Sequence, residues 1–209
     1  MKRNAGFTLV ELLVVIGILS MLFVVLLNTI LSGQQAANEF ACKANLKSLA
    51  DRITAYKASK GHYPPNGGVK FLWRLWRFGE QTTAKRDMFF CPEVRQRDLR
   101  EETTSIPIQE LWRDASEFTS ASTDYAVRAA KYRKSMTSGN AALIADDNEG
   151  GSNHQTGAIN VLYGDLSLKT FAKDDLEEQG IWPADADEDF YILVGPESPI
   201  KDLQKLQID

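Results

Sequence analysis

Chemistry in this chain has to come from three groups of side chains. The first is Gly6-Phe7 together with Glu11. Glu11 is the only charged residue between Phe7 and Leu31, a stretch that is otherwise almost wholly apolar. A carboxylate in such surroundings is costly and is normally paired or functional. The second is Cys42 and Cys91, which lack metal-type C-x-x-C spacing. In an exported domain two separated cysteines can close a disulfide, and the alternative is a pair of buried thiols. The third is acidic: Asp146, Asp147, Asn148, Glu149, Asn153 and Asp165 surround a glycine-rich stretch. Hard oxygen ligands suit Ca²⁺, with Asp146, Asp147 and Asp165 as the candidate ligands. The spacing is not that of an EF-hand, and a solvated acidic turn is the competing reading.

Catalysis has little to work with. The two histidines are His62, in a His-Tyr-Pro-Pro turn, and His154. There is no Gly-x-Ser-x-Gly, no H-E-x-x-H and no phosphate-binding loop. His154 near Asp146 or Asp147 lacks a specified nucleophile. Its expected role is to orient a loop by hydrogen bonding, and the chain is not expected to be an enzyme.

The elements that position these groups begin with the apolar stretch. Twenty-five helical residues span roughly 37 Å, enough to cross a hydrocarbon core of ~30 Å. Lys2 and Arg3 precede it, which keeps the N-terminus cytoplasmic and exports the rest. A cleaved secretory signal would have a shorter apolar core and an A-x-A-like site, which Ser32-Gly33-Gln34-Gln35 is not. A plain signal anchor accounts for neither Glu11 nor Gly6.

The segment Gly6-Phe7-Thr8-Leu9-Val10-Glu11-Leu12-Leu13-Val14-Val15-Ile16 resembles the prepilin cleavage and methylation motif of type IV pilins and type II secretion pseudopilins. The resemblance implies cutting between Gly6 and Phe7 by a prepilin peptidase, which then N-methylates Phe7. A glycine before the cut lets the peptidase approach the backbone closely. Glu11 becomes the fifth residue of the mature chain. There it can meet the Phe7 amine of a neighbouring subunit, where an opposed pair offsets much of the cost of burying either charge.

No proline interrupts the chain before Pro64, so the helix is expected to continue to about residue 60. Leu46, Leu49, Ile53 and Tyr56 make one apolar stripe, with Lys43, Lys47, Asp51 and Lys57 elsewhere on the surface. Gly61 and Pro64-Pro65 end it, and Gly33 is a point where it can bend or melt. Strands are expected at 141–145, 158–163, 166–171 and 190–194, with Gly164-Asp165 as a hairpin turn. Residues 71–78 read as a short amphipathic helix. Trp73 and Trp76 are expected in the core, with Arg74 and Arg77 outside. A helical turn is expected at 174–178, and a last turn or two near 199–206. The fold class is α+β: a long N-terminal helix laid on a small antiparallel sheet.

A second resemblance covers more of the chain. Cys42-Lys43-Ala44-Asn45-Leu46, Phe89-Phe90-Cys91-Pro92 and His154 to Gly164-Asp165 resemble a prepilin-like group abundant in Planctomycetes-type bacteria. Here ten residues separate His154 from Asp165, where that group has nine, and Leu166 stands where it has glycine. Together the resemblances imply a leader at 1–6, a transmembrane and assembly helix at 7–31, an amphipathic continuation at 32–60 and an exported domain at 61–209. They imply a structural subunit of a type IV pilus or type II secretion pseudopilus. Its partners would be membrane lipid, copies of itself and other pilins, the peptidase, an inner-membrane platform and an ATPase. The rival readings are an envelope binding module that uses the helix only as a tether, and an envelope enzyme on such a tether. The formal charge of -4, with no basic stripe, does not favour nucleic acid.

Overall fold

The computed structural model describes residues 8–79, 86–94, 112–119, 122–136, 138–146, 151–187 and 190–207. They form two compact units, Met1–Ala37 and Asn38–Asp209. The architecture is α+β, with one long N-terminal helix and a five-stranded antiparallel sheet.

Helix α1 (Leu9–Lys60) runs unbroken through Gly33. In the first unit its described leucines, valines and isoleucines are solvent-exposed all round. By length and composition this stretch can cross a membrane. Thr8 starts the helix with a capping box. Its hydroxyl accepts from the Glu11 N–H at 3.3 Å, and Glu11 accepts in turn from the Thr8 N–H at 2.9 Å. At the other end Gly61 adopts φ 74° and donates its N–H to Lys57 O at 2.8 Å, which stops the helix as Gly61-x-x-Pro64 leads one to expect.

The second unit is built on the sheet. Its strands are β1 (Tyr125–Arg128), β2 (Ala142–Asp146), β3 (Ile159–Tyr163), β4 (Leu168–Phe171) and β5 (Leu206–Gln207), in the order β4-β3-β2-β1-β5. β1, β2 and β3 are buried along their whole length, so both faces of the sheet are covered. On one face, Cys42, Leu46, Leu49, Ile53 and Tyr56 of α1 pack with α2 (Val69–Phe78) on Tyr125, Val127, Ile144 and Leu162. That is the stripe read from the sequence, extended by one turn to Cys42. A bulge between Ala142 and Ile144 lets the consecutive Leu143 and Ile144 join the same cluster. On the other face, Ala126, Ala145, Ile159 and Val161 pack under Leu176 of α3 (Lys173–Glu178) and under Trp182, Ile192 and Leu203.

The aromatic helix turns as expected, except that Trp73 is only half-buried, packed against the core. Trp76 is fully buried, edge-on to Trp112 at 4.9 Å, while Arg74 and Arg77 are exposed. Two strand expectations need correction, and two strands, β1 and β5, were not expected. Residues 190–194 form no strand. Ile192 packs under the sheet and Phe190 meets the Trp182 ring edge-on at 4.9 Å, so side-chain burial has displaced ladder pairing. The strand expected from 166 begins only at Leu168. The turn consumes Leu166, which takes φ 66°, and Ser167, whose N–H is held by Asp165 Oδ1 at 2.9 Å. β1 escaped the sequence reading because its four residues include an arginine. Arg128 is nonetheless buried, donating to Tyr132 O, Ala142 O and Ser135 Oγ. Near the C-terminus the expected helical turn is a 3₁₀ turn at Leu203–Lys205, followed directly by β5.

Candidate functional site

Gly6 and Phe7 lie outside the described residues, and so does Asp147. Glu11 stands in the first turn of α1, exposed, with its carboxylate turned back onto Thr8. The two calcium candidates among the described residues, Asp146 and Asp165, are not gathered. Asp146 is at the end of β2 that pairs with the start of β3, whereas Asp165 follows the far end of β3. Asp165 is exposed and accepts from Ser167 through both N–H and hydroxyl, which lowers its pKa. The alternation of a strand explains the outcome: Asp146 follows Ile144 onto the covered face and is shut off from solvent.

What Asp146 meets there is a second constellation. Cys42 comes from the first buried turn of α1 and reaches Asp146 Oδ1 at 2.9 Å. Tyr125, paired with Asp146 across β1 and β2, points the same way, with its hydroxyl 3.5 Å from the Cys42 sulfur. Cys91 follows the 3₁₀ turn Asp87–Phe89, and its N–H is pinned by Asp124 Oδ2 at 2.8 Å. His154 stands between β2 and β3, 3.9 Å from Cys91 Sγ and 3.1 Å from Asp146 Oδ2 through Nε2. Its other nitrogen, Nδ1, is 3.0 Å from Glu93 Oε2, and Glu93 Oε1 accepts the next backbone N–H, that of Gln155. Asn160 donates to Asp146 Oδ2 from both its backbone and its side chain, each at 2.9 Å. Cys42, Cys91, His154 and Asp146 are each 0% exposed.

The cysteines expected as a possible disulfide are thus brought together, but as free thiols. The two sulfurs and a histidine ring nitrogen lie within 4.8 Å of one another. His154, expected to hydrogen-bond, does so with Glu93 and Asp146. Glu93, Tyr125 and Asn160 were not read from the sequence, because no local spacing links them to either cysteine.

The electrostatics follow from this packing. Burial disfavours a charged His154, but hydrogen bonds to Asp146, Cys91 and Glu93 outweigh it and raise its pKa to about 12. The hydrogen bond from Cys42 lowers the Cys91 pKa to about 6 against the cost of burial, helped by His154. Cys42 moves the opposite way, raised by its bond to Cys91, by burial and by the Asp146 charge. An acidified sulfur beside an imidazole is the start of a nucleophilic pair. Among the described residues the pair is fully buried. The cavity beside Ile53, Lys57 and Tyr63 and the one beside Arg128 and Asn140 are lined by none of these residues.

Comparison with known proteins bears on the N-terminus. Residues 1–27 match the model of the prokaryotic N-terminal methylation motif. The chain is 36% identical over 64 residues to the competence protein ComGC of Halalkalibacterium halodurans. That similarity covers 31% of this chain and 63% of the ComGC chain. No solved structure matches the chain.

Proposed function

We propose that this prepilin-like chain, a pilin-like subunit by its methylation motif and its α+β architecture, is processed and built into an extracytoplasmic filament of the type IV pilus or type II secretion class. Residues 1–6 are the leader. A prepilin peptidase removes it between Gly6 and Phe7 and methylates the new terminal amine. The helix from residue 7 to 31 then holds the chain as a single pass in the inner membrane, with the domain from residue 61 exported.

The observation that carries this reading is the coincidence of Glu11 with a helix surface that is apolar on every side. Leu9, Val10, Leu12 and Leu13 flank it, all more than half exposed. Burying such a surface is worth about 25 cal/mol per Å², so it calls for lipid or for the same helix of other copies. Lipid alone would favour removing the carboxylate, while a bundle of copies gives it a partner in the Phe7 amine. Assembly then proceeds by withdrawing the helix from lipid into that bundle, with an inner-membrane platform and an ATPase as the machinery. The chain itself turns nothing over.

Mass spectrometry of the N-terminus in the native host tests the reading. A mature chain beginning with N-methyl-Phe7 is expected. A chain retaining Met1 to Gly6 overturns it in favour of a membrane tether.

A further inference from the structure

The geometry points to a buried transition-metal site in the exported domain, with Cys42, Cys91 and His154 as ligands to a zinc-class divalent ion and Asp146 Oδ1 as the fourth.

Electron-pair donors converge here from separate segments. They are Cys42 Sγ from α1, Cys91 Sγ from the turn after Phe89, His154 Nε2, and Asp146 from the end of β2. All four residues are sealed from water. Buried polar groups repay their lost hydration by hydrogen bonding or by coordinating a metal. A divalent cation serves them at one point, in place of separate protons on the thiols and the imidazole. On binding, any proton held on the two thiols and on His154 Nε2 leaves to solvent; the two thiolates balance the ion's two charges, and the Asp146 carboxylate leaves the site with one net negative charge.

The distances suit a tetrahedron. Bonds of about 2.3 Å to sulfur and about 2.0 Å to nitrogen or oxygen place ligand atoms roughly 3.3–3.8 Å apart. Cys91 Sγ to His154 Nε2 is 3.9 Å, and Cys42 Sγ to Asp146 Oδ1 is 2.9 Å. The two sulfurs and the nitrogen fit within 4.8 Å. Shifts of under about 1 Å centre an ion among them.

The supporting hydrogen bonds fit the same ion. A metal-bound histidine is usually held by a carboxylate on its other nitrogen, which fixes the tautomer. Glu93 Oε2 stands 3.0 Å from Nδ1 in that position. Asp146 divides its oxygens similarly. Oδ2 is held by two bonds from Asn160, leaving Oδ1 directed at Cys42. Two thiolates and an imidazole select a zinc-class ion over calcium, which takes six to eight oxygens.

The test uses the full-length chain, purified in detergent under reducing conditions, and does not depend on filament assembly. Metal analysis after growth with zinc should find an equimolar ion. Cobalt added to the stripped chain should produce a thiolate-to-cobalt charge-transfer band, which zinc then abolishes. Cys91→Ser and His154→Gln should lose the ion. Glu93→Gln, which removes no ligand, should keep the circular dichroism of the parent and bind zinc about 10–100-fold more weakly. Three results would overturn the site: a stripped, folded chain that takes up neither metal, cobalt bound without a thiolate band, or a Cys42–Cys91 disulfide in chain isolated from its native envelope.

Discussion

Glu11 Oε2 accepts hydrogen bonds from both the backbone N–H and the hydroxyl of Thr8, at 2.9 and 2.8 Å. The one carboxylate in the apolar segment therefore has two possible employers, the start of its own helix and the terminal amine of a neighbour. Conservative substitution separates them. Glu11→Gln keeps an oxygen for the Thr8 amide but no charge for an ammonium. We expect it to anchor in membrane fractions as the parent does and to fail to enter filaments, as scored by shearing and immunoblot. Thr8→Ala removes only the cap, about 1 kcal/mol of local helix stability, and should assemble. Normal assembly of Glu11→Gln would exclude charge pairing as the source of register.

Gly164 sits where a side chain has no room. A Cβ there would overlap the backbone carbonyl oxygens of Ser138 and Met136, neither of which can swing away. Gly164 also donates its N–H to Ala141 O at 2.8 Å, tying the β3–β4 turn to the start of β2. Gly164→Ala should lower stability by about 1–3 kcal/mol, measured by denaturant unfolding of the exported domain in the full chain.

The two faces of α1 beyond Asn38 should respond oppositely to truncation. Leu49 is fully buried against the sheet, and Leu49→Ala should cost about 2–5 kcal/mol through the cavity it leaves. Phe40 is 75% exposed on the same helix, and Phe40→Ala should leave the unfolding midpoint where it is. Equal effects would mean that a different stripe of the helix faces the sheet.

Calcium makes a sharp contrast. Asp165 and Asp146 lie at opposite ends of β3, and Asp165 is already engaged with Ser167. A calcium-selective chelator should therefore leave the thermal midpoint unchanged. A drop of several degrees on its addition would show that these carboxylates share an ion after all.

How much was legible in the sequence depended on the range of the pattern. The Leu46, Leu49, Ile53, Tyr56 stripe and its Gly61 stop are local, and periodicity exposes them. So is Thr8-x-x-Glu11, whose capping-box spacing was present but overshadowed by the more unusual feature of a charge in an apolar run. The buried cluster is of another kind. Cys42 meets Asp146 across 104 residues and Cys91 meets His154 across 63, distances at which spacing carries no signal. Reading Asp146 by its acidic neighbours suggested a loop ion. Only its place on β2, on the same face as Ile144, turned it inward. The strand missed at Tyr125–Arg128 failed for a related reason, since a buried arginine is intelligible only once the carbonyls that accept from it are in place.

The contact between Cys42 and Asp146 also has a mechanical side. Within the second unit Cys42 is the first fully buried side chain of α1, and Asp146 belongs to β2, the middle strand of five. Traction arriving along α1 would enter the sheet at its centre, where each neighbouring ladder shares the strain, and not at an edge strand that can be peeled away hydrogen bond by hydrogen bond. The junction is placed like a rivet through the middle of a plate.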